Sequence, residues 1–276
     1  MSRRAALAGL ALLAGQAGAQ VPGSPVGGSQ APAAAAPQAF APRTGFELNL
    51  GLGPLLYPTY PGARISRAVP FPHISGGYGD RVDFDALDGL RLTALEAAGF
   101  SVGAAARYRF GRRLADDRAQ LQGLRQFHDT IEAGGFLAYE RGALYADATL
   151  TQDIGRTHRG AVLDGRALLS LPLGPVGLSA GPMIRAVSRP FAQAYYGIAP
   201  NRALANGRPA HSAGAGLERA GLLLLGEWHM STRLALRGFV EYGRLLGTAA
   251  DSPLVRGRGG AADQVYAGVF LTWRLY

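Results

Sequence analysis

A histidine and a serine two residues apart on an extended strand point the same way, so the histidine can activate the serine as a nucleophile. His73-Ile74-Ser75 has this spacing and would share its face with Phe71. Pro70 and Pro72 interrupt the segment, and the sequence shows no third group that would orient His73, so a hydrolase is only a remote alternative. His211-Ser212 is worse placed, because adjacent strand residues face opposite ways. Asp116 and Asp117, with Arg112, Arg113 and Arg118, have the types to hold a cation or a phosphate, but they read as a solvated loop with local ion pairs. Asp80, Asp83 and Asp85 would be spread along a strand and lack the loop spacing of a calcium site. Cysteine is absent, which excludes disulfides, thiolate zinc sites and cysteine nucleophiles. No catalytic set, cofactor or metal is assigned, and the expectation is a protein that is not an enzyme.

The elements that must carry these residues alternate with a period of two. In 46–53, Phe46, Leu48, Leu50 and Leu52 face away from Glu47, Asn49, Gly51 and Gly53. Segment 100–110 sets Phe100, Val102, Ala104, Ala106, Tyr108 and Phe110 against Ser101, Gly103, Arg107 and Arg109. Segment 143–153 and the stretch around Leu234, Leu236, Val240 and Tyr242 repeat the pattern, as do 161–171, 176–187 and 265–276. The polar face mixes glycine, small residues and opposite charges, which suits a lumen, while the other face suits lipid. An open sheet edge cannot be solvated by lipid, so the sheet must close. The expected fold is all-β: a closed antiparallel transmembrane β-barrel of about 12 strands, with about 10 as the alternative. The count comes from about thirteen candidate segments, with 67–78 and 80–86 joined as one long strand bent at Gly76, Gly77 and Gly79. Asp88-Gly89 reads as a hairpin turn. With this count the three long connections, 111–127, 188–210 and 247–263, do not all fall on one side of the membrane.

The N-terminus reads as an export address. Arg3 and Arg4 precede an apolar run, Ala5 to Ala14, and Ala17-Gly18-Ala19 supplies a cleavage site, giving a signal peptide over 1–19 cut between Ala19 and Gln20. Residues 20–42 are an Ala/Pro-rich spacer that cannot offset its ordering entropy, and 43–276 form the barrel. The apolar run is too short for a spanning helix. All 28 basic residues are arginine, and the net charge falls from +9 to +7 when Arg3 and Arg4 leave. The arginines alternate with apolar residues instead of clustering, which argues against nucleic acid. Trp228, Trp273 and Tyr242 read as interfacial girdle residues. The last strand, ending in Trp273 and Tyr276, is similar to the signal read by the barrel-assembly machinery, although Tyr276 falls on the face of Thr272 and Arg274, a phase that a bulge near Arg274 would restore.

The connections carry a family resemblance. Pro58-Thr59-Tyr60-Pro61-Gly62, Tyr78 to Phe84, Arg113 to Leu124, His158-Arg159-Gly160, Tyr195-Tyr196-Gly197-Ile198 and Asp251-Ser252-Pro253-Leu254 resemble, in order, motifs of the MipA/OmpV family of outer-membrane proteins. The set spans nearly all of the chain after residue 45. The resemblance implies an integral outer-membrane protein of Gram-negative bacteria that acts as a scaffold docking periplasmic murein-remodelling enzymes, a lytic transglycosylase and a penicillin-binding protein. The two segments Tyr195-Tyr196-Gly197 and Asp251-Ser252-Pro253 are the candidate interaction loops, or else aromatics capping a barrel end and an Asp-initiated turn before proline. The alternative function is a small pore or uptake channel, whose lumen arginines Arg107, Arg109, Arg185 and Arg237 would favour anions.

Overall fold

The structure, a computed structural model, describes residues 45–275. The cleavage site at Ala19 and Gln20, the spacer 20–42 and Tyr276 lie outside the described residues. Twelve strands follow one another: β1 Phe46–Pro58, β2 Ser66–Tyr78, β3 Val82–Asp85, β4 Gly89–Ala97, β5 Phe100–Arg109, β6 Thr130–Arg141, β7 Leu144–Asp153, β8 Ala161–Leu173, β9 Val176–Val187, β10 Gly216–His229, β11 Leu234–Leu245 and β12 Asp263–Arg274. Five short helices lie in the connections: α1 Arg118–Leu121, α2 Arg189–Tyr196, α3 Pro200–Asn206, α4 Gly247–Ala250 and α5 Pro253–Arg256.

Each strand pairs antiparallel with its chain neighbours, and β1 pairs with β12, from Asn49 opposite Arg274 to Leu56 opposite Ala267. The sheet therefore has no open edge, the condition for crossing lipid with strands. Alternation sorts the side chains as the sequence predicts. Phe46, Leu50, Leu52, Phe100 and Val102 stand exposed on the outside, whereas Asn49, Glu132, Asp147 and Asp153 are buried inside. Trp228, Trp273 and Tyr242 are about half exposed on the outer face, where the bilayer interfaces lie.

Two readings of the sequence are corrected. Segments 67–78 and 80–86 are not one bent strand: Gly79 takes φ 54° and the chain reverses, so that Tyr78 lies opposite Val82 and β2 pairs with β3 as a hairpin. Glycine suits that left-handed turn because it has no Cβ. With β2 and β3 separate, the described residues hold twelve strands, against about thirteen segments counted from sequence. The second correction follows from the first. All three long connections leave the same end of the barrel, after β5, β9 and β11, together with 59–65, 86–88 and 154–160. The other end has the ends of β1 and β12 and the short turns 79–81, 98–99, 142–143, 174–175 and 230–233. The register from β11 to β12 runs unbroken to Leu234 opposite Trp273, so no bulge near Arg274 shifts the phase among the described residues.

Candidate functional site

The interior is built in layers, and the uppermost is a cap made by the long connections. Pro190 occupies the first turn of α2, where its missing N–H costs nothing. The helix lays Phe191, Ala192, Ala194, Tyr195 and Tyr196 into a buried cluster with Phe127, Val162, Val187, Leu245, Ala249 and Val255. The helix passes close to Gly160, where a Cβ would collide with the backbone of Phe191. A second cluster joins Tyr60, Ala63, Leu121, Leu124, Ile198 and Leu254.

The two candidate loops meet inside this cap. Ser252 Oγ donates to the Tyr196 carbonyl at 2.7 Å, and the same oxygen accepts from Leu254 N at 3.3 Å as the N-cap of α5. Tyr196 is fully buried, and its hydroxyl donates to the Glu218 carboxylate. Burial and the neighbouring Glu218 charge push the Tyr196 phenol well above its ordinary range. Tyr195 is buried as well, donates its hydroxyl to the Phe110 carbonyl at 3.2 Å, and receives Arg112 Nη1 on its own carbonyl at 2.8 Å. Burial lowers the Arg112 guanidinium to about 10, so it stays charged at neutral pH. Gly197 ends α2 with its N–H on the Gln193 carbonyl. Asp251 is exposed and pairs with Arg256. Pro253 begins α5.

Glu218 escaped the sequence reading for a clear reason. A strict period of two puts Glu218 and Arg219 on opposite faces, but β10 shifts register between Leu217 and Arg219 against β9, and both residues are buried. Two charges in a row just ahead of the apolar run Leu222 to Leu225 were the available sign.

Beneath the cap the lumen is crossed by ion pairs. Glu132 is fully buried and accepts from Arg109 Nε and Nη2 at 2.5 and 2.9 Å, from Thr151 Oγ1 at 3.1 Å and from His158 Nε2 at 2.9 Å. His158 Nδ1 accepts from Gly160 N at 3.1 Å, which leaves Nε2 to carry the proton toward Glu132. The same ring packs edge-on against Phe191, and the Arg109 guanidinium lies 5.2 Å from the centre of the Phe191 ring, so the ion pair and the cap share contacts. Asp164 bridges Arg107 and Arg185, Asp147 bridges Arg91 and Arg166, and Arg166 also reaches Asp88 at 2.8 Å. Arg237 pairs with Glu227 at 2.8 Å and Arg219 with Glu241 at 2.8 Å. Each of the four lumen arginines singled out from sequence thus faces a carboxylate. At the same levels as these pairs, Phe71 and Phe270, Ala105 and Phe136, and Leu168, Met183 and Leu223 form apolar clusters inside the wall, with Ala105 opposite Arg91, Met183 opposite Arg166 and Phe270 opposite Arg237.

The remaining chemical candidates resolve individually. His73 does have a third group: its Nε2 lies 2.7 Å from Asp85 Oδ2, which corrects the sequence reading. The pair faces the lumen beside Phe270, and Ser75 Oγ accepts from Arg237 Nη1 at 2.9 Å. Asp116 reaches across to Arg67 at 3.1 Å, Asp117 caps α1 through Gln120 N, and Arg113 pairs with Asp129. His211 Nε2 meets the Thr248 carbonyl at 2.8 Å. Among the described residues no three His, Asp or Glu side chains form a metal-holding group.

A closed, all-next-neighbour, twelve-stranded antiparallel barrel with an apolar outer face and a charged interior is an integral outer-membrane barrel. The family model of MltA-interacting protein MipA matches residues 50–275, and the chain belongs to that family. No curated protein matches. Among solved structures the chain is similar to Neisserial surface protein A (NspA), at 10% identity over 83% of this chain and 95% of that one with a TM-score of 0.24. It is also similar to a bacterial polysaccharide outer membrane secretin, at 8% identity over 85% and 99% with a TM-score of 0.39. The outer membrane protein OprD from Pseudomonas aeruginosa matches at 11% identity over 82% and 65% with a TM-score of 0.35. Likeness at this level adds nothing to the barrel that the strand register itself establishes.

Proposed function

We propose that this protein is a non-enzymatic outer-membrane scaffold whose terminus-bearing end docks a periplasmic murein-remodelling enzyme. The observation that carries the reading is the interior: a lumen crossed by paired charges beneath a folded cap suits a rigid platform better than a conduit. The family description, MltA-interacting protein, supports a partner of that kind. The partners implied by the resemblance are a lytic transglycosylase and a penicillin-binding protein. Outer-membrane barrels turn short connections toward the periplasm and long ones outward. On that rule the cap faces the exterior, and the docking surface is the ring of short turns, including 79–81 and 230–233. The segments Tyr195-Tyr196-Gly197 and Asp251-Ser252-Pro253 then serve the partner only indirectly, by holding the cap. Insertion is expected to depend on the barrel-assembly machinery reading the last strand, with Trp273 on its outer face.

Affinity capture from solubilised outer membranes, with partners identified by mass spectrometry, tests this directly. Recovery of a lytic transglycosylase or a murein synthase is expected. Recovery should fall when turn residues Ser231 to Arg233 are replaced and stay unchanged for Asp251→Ala. The absence of native cysteine makes orientation separately measurable. On intact cells a membrane-impermeant maleimide should label Ala119→Cys, in the exposed cap, and spare Thr232→Cys, in a short turn. Capture of no murein enzyme by a correctly oriented barrel removes the scaffold reading.

The pore reading makes a contrary prediction. With Arg107, Arg109, Arg185 and Arg237 each paired to a carboxylate, purified barrels in planar bilayers should show no anion-selective conductance. A stable anion-selective current from the intact protein would favour the channel instead.

A further inference from the structure

The positive charge of the chain is concentrated at one end. The connections at the capped end hold twelve arginines against five aspartates, a surplus of seven, while the short turns at the opposite end hold Arg81 and Arg233 against Asp80. Several cap arginines are engaged within the protein: Arg113 with Asp129, Arg256 with Asp251, and Arg112 with backbone carbonyls. On one side of the cap, Arg125, Arg156, Arg159 and Arg189 are exposed, and none makes an ion pair among the described residues.

The fold gathers these four. Arg156 and Arg159 share the 154–160 connection, and Arg125 Nη2 donates to the Thr157 carbonyl at 3.2 Å. Ala161 N donates to Ser188 Oγ at 2.8 Å, which brings the start of α2, and with it Arg189, beside Arg159 and Gly160. Arg156 and Arg159 both take φ 58°, a left-handed conformation unfavourable for a residue with a Cβ. Just below, Phe110, Ile131 and Ile154 stand exposed at the cap-side ends of β5, β6 and β7, so the apolar outer face ends two residues before Arg156.

We propose that Arg125, Arg156, Arg159 and Arg189 bind the phosphate groups of phosphorylated lipids in the outer leaflet. The arrangement matches the ligand in both chemistry and depth. Acyl chains lie against Phe110, Ile131 and Ile154, and the headgroup phosphates then sit at the level of guanidinium groups whose planar donor pairs fit phosphate oxygens two at a time. Facing lipid, this side of the cap has no need of a carboxylate partner. The inference rests on the outward orientation of the cap but not on the docking of any murein enzyme.

The test uses the full chain refolded in zwitterionic detergent and titrated with diphosphorylated lipid A, with bound lipid counted by native mass spectrometry. The quadruple variant Arg125→Gln, Arg156→Gln, Arg159→Gln, Arg189→Gln should bind about tenfold more weakly, or worse, from the loss of four partly solvated charge contacts. The pair Arg118→Gln, Arg258→Gln, also exposed but elsewhere on the cap, should bind as the parent does. Dephosphorylated lipid A should bind parent and quadruple variant equally weakly, and millimolar inorganic phosphate should not displace the lipid. Unchanged migration of unheated protein on a gel verifies that each variant is folded. Equal binding by the quadruple variant, or equal binding of dephosphorylated lipid, overturns the proposal. Displacement by free phosphate would make it a soluble-anion site, and labelling that places Ala119→Cys in the periplasm removes the outer leaflet as the source; either result also overturns it.

Discussion

Glu132→Ala should destabilise the barrel by about 3–5 kcal/mol, read from urea unfolding of the protein refolded in lipid. The side chain is fully buried, and four donors converge on it from Arg109, Thr151 and His158. Without it the Arg109 guanidinium is left in the wall with its carboxylate gone, and an uncompensated buried charge costs far more than a buried pair contributes. His158 loses its acceptor as well, which puts strain on its contact with Phe191 and so on the cap. Replacing both partners separates these effects. Arg109→Met with Glu132→Leu removes the charge and its counter-charge together, and should recover most of the loss. A single-variant cost under about 1 kcal/mol would show that water reaches Arg109 and that the lumen is wetter than the burial of Glu132 indicates.

Tyr196→Ala should release the cap while leaving the barrel closed. The ring is fully buried at the meeting point of α2, α4, α5 and the wall, and its hydroxyl bonds to Glu218. Truncating a buried aromatic costs about 3–5 kcal/mol. Here that cost falls on a loop assembly with few strand hydrogen bonds, so the expected outcome is local opening. Trypsin reports it at Arg202, because Arg189 and Arg208 in the same connection between β9 and β10 precede proline and are not cut. The parent should resist cleavage there, and the variant should be cut within 188–215 while unheated protein still migrates as a folded barrel. Tyr196→Phe removes only the hydroxyl but leaves Glu218 buried without that donor, so its effect should be smaller and of the same sign. If Tyr196→Ala is as resistant as the parent, the two candidate loops are not what holds the cap. Cap opening also bears on the pore reading, since an anion current that appears only in Tyr196→Ala would locate the barrier in the cap and not in the ion-pair layer.

The sequence by itself determined that this chain crosses the outer membrane with strands. Side-chain direction in a strand has a period of two regardless of context, so Phe46, Leu50 and Leu52 could be assigned to one face and Asn49 to the other from their spacing alone. The closed sheet followed from the inability of lipid to solvate an open edge. The ordered loop motifs carried the family, which the match over 50–275 shows. Strand parity was a tertiary matter, because the reversal at Gly79 differs from a bend only in backbone direction, and that direction decides on which end every later connection emerges. Charge balance in the lumen was also invisible in one dimension. Arg185 lies directly opposite Asp164 on the neighbouring strand, but Arg107 reaches Asp164 only because the closed sheet sets β5 across from β8, so arginines that read as a free basic lining have carboxylate partners. Glu218 was hidden by a register shift, and the meeting of Ser252 with Tyr196 by a sequence separation of 56. Local periodicity is written in neighbouring residues, whereas pairing across a lumen depends on which strands the closed sheet sets opposite one another.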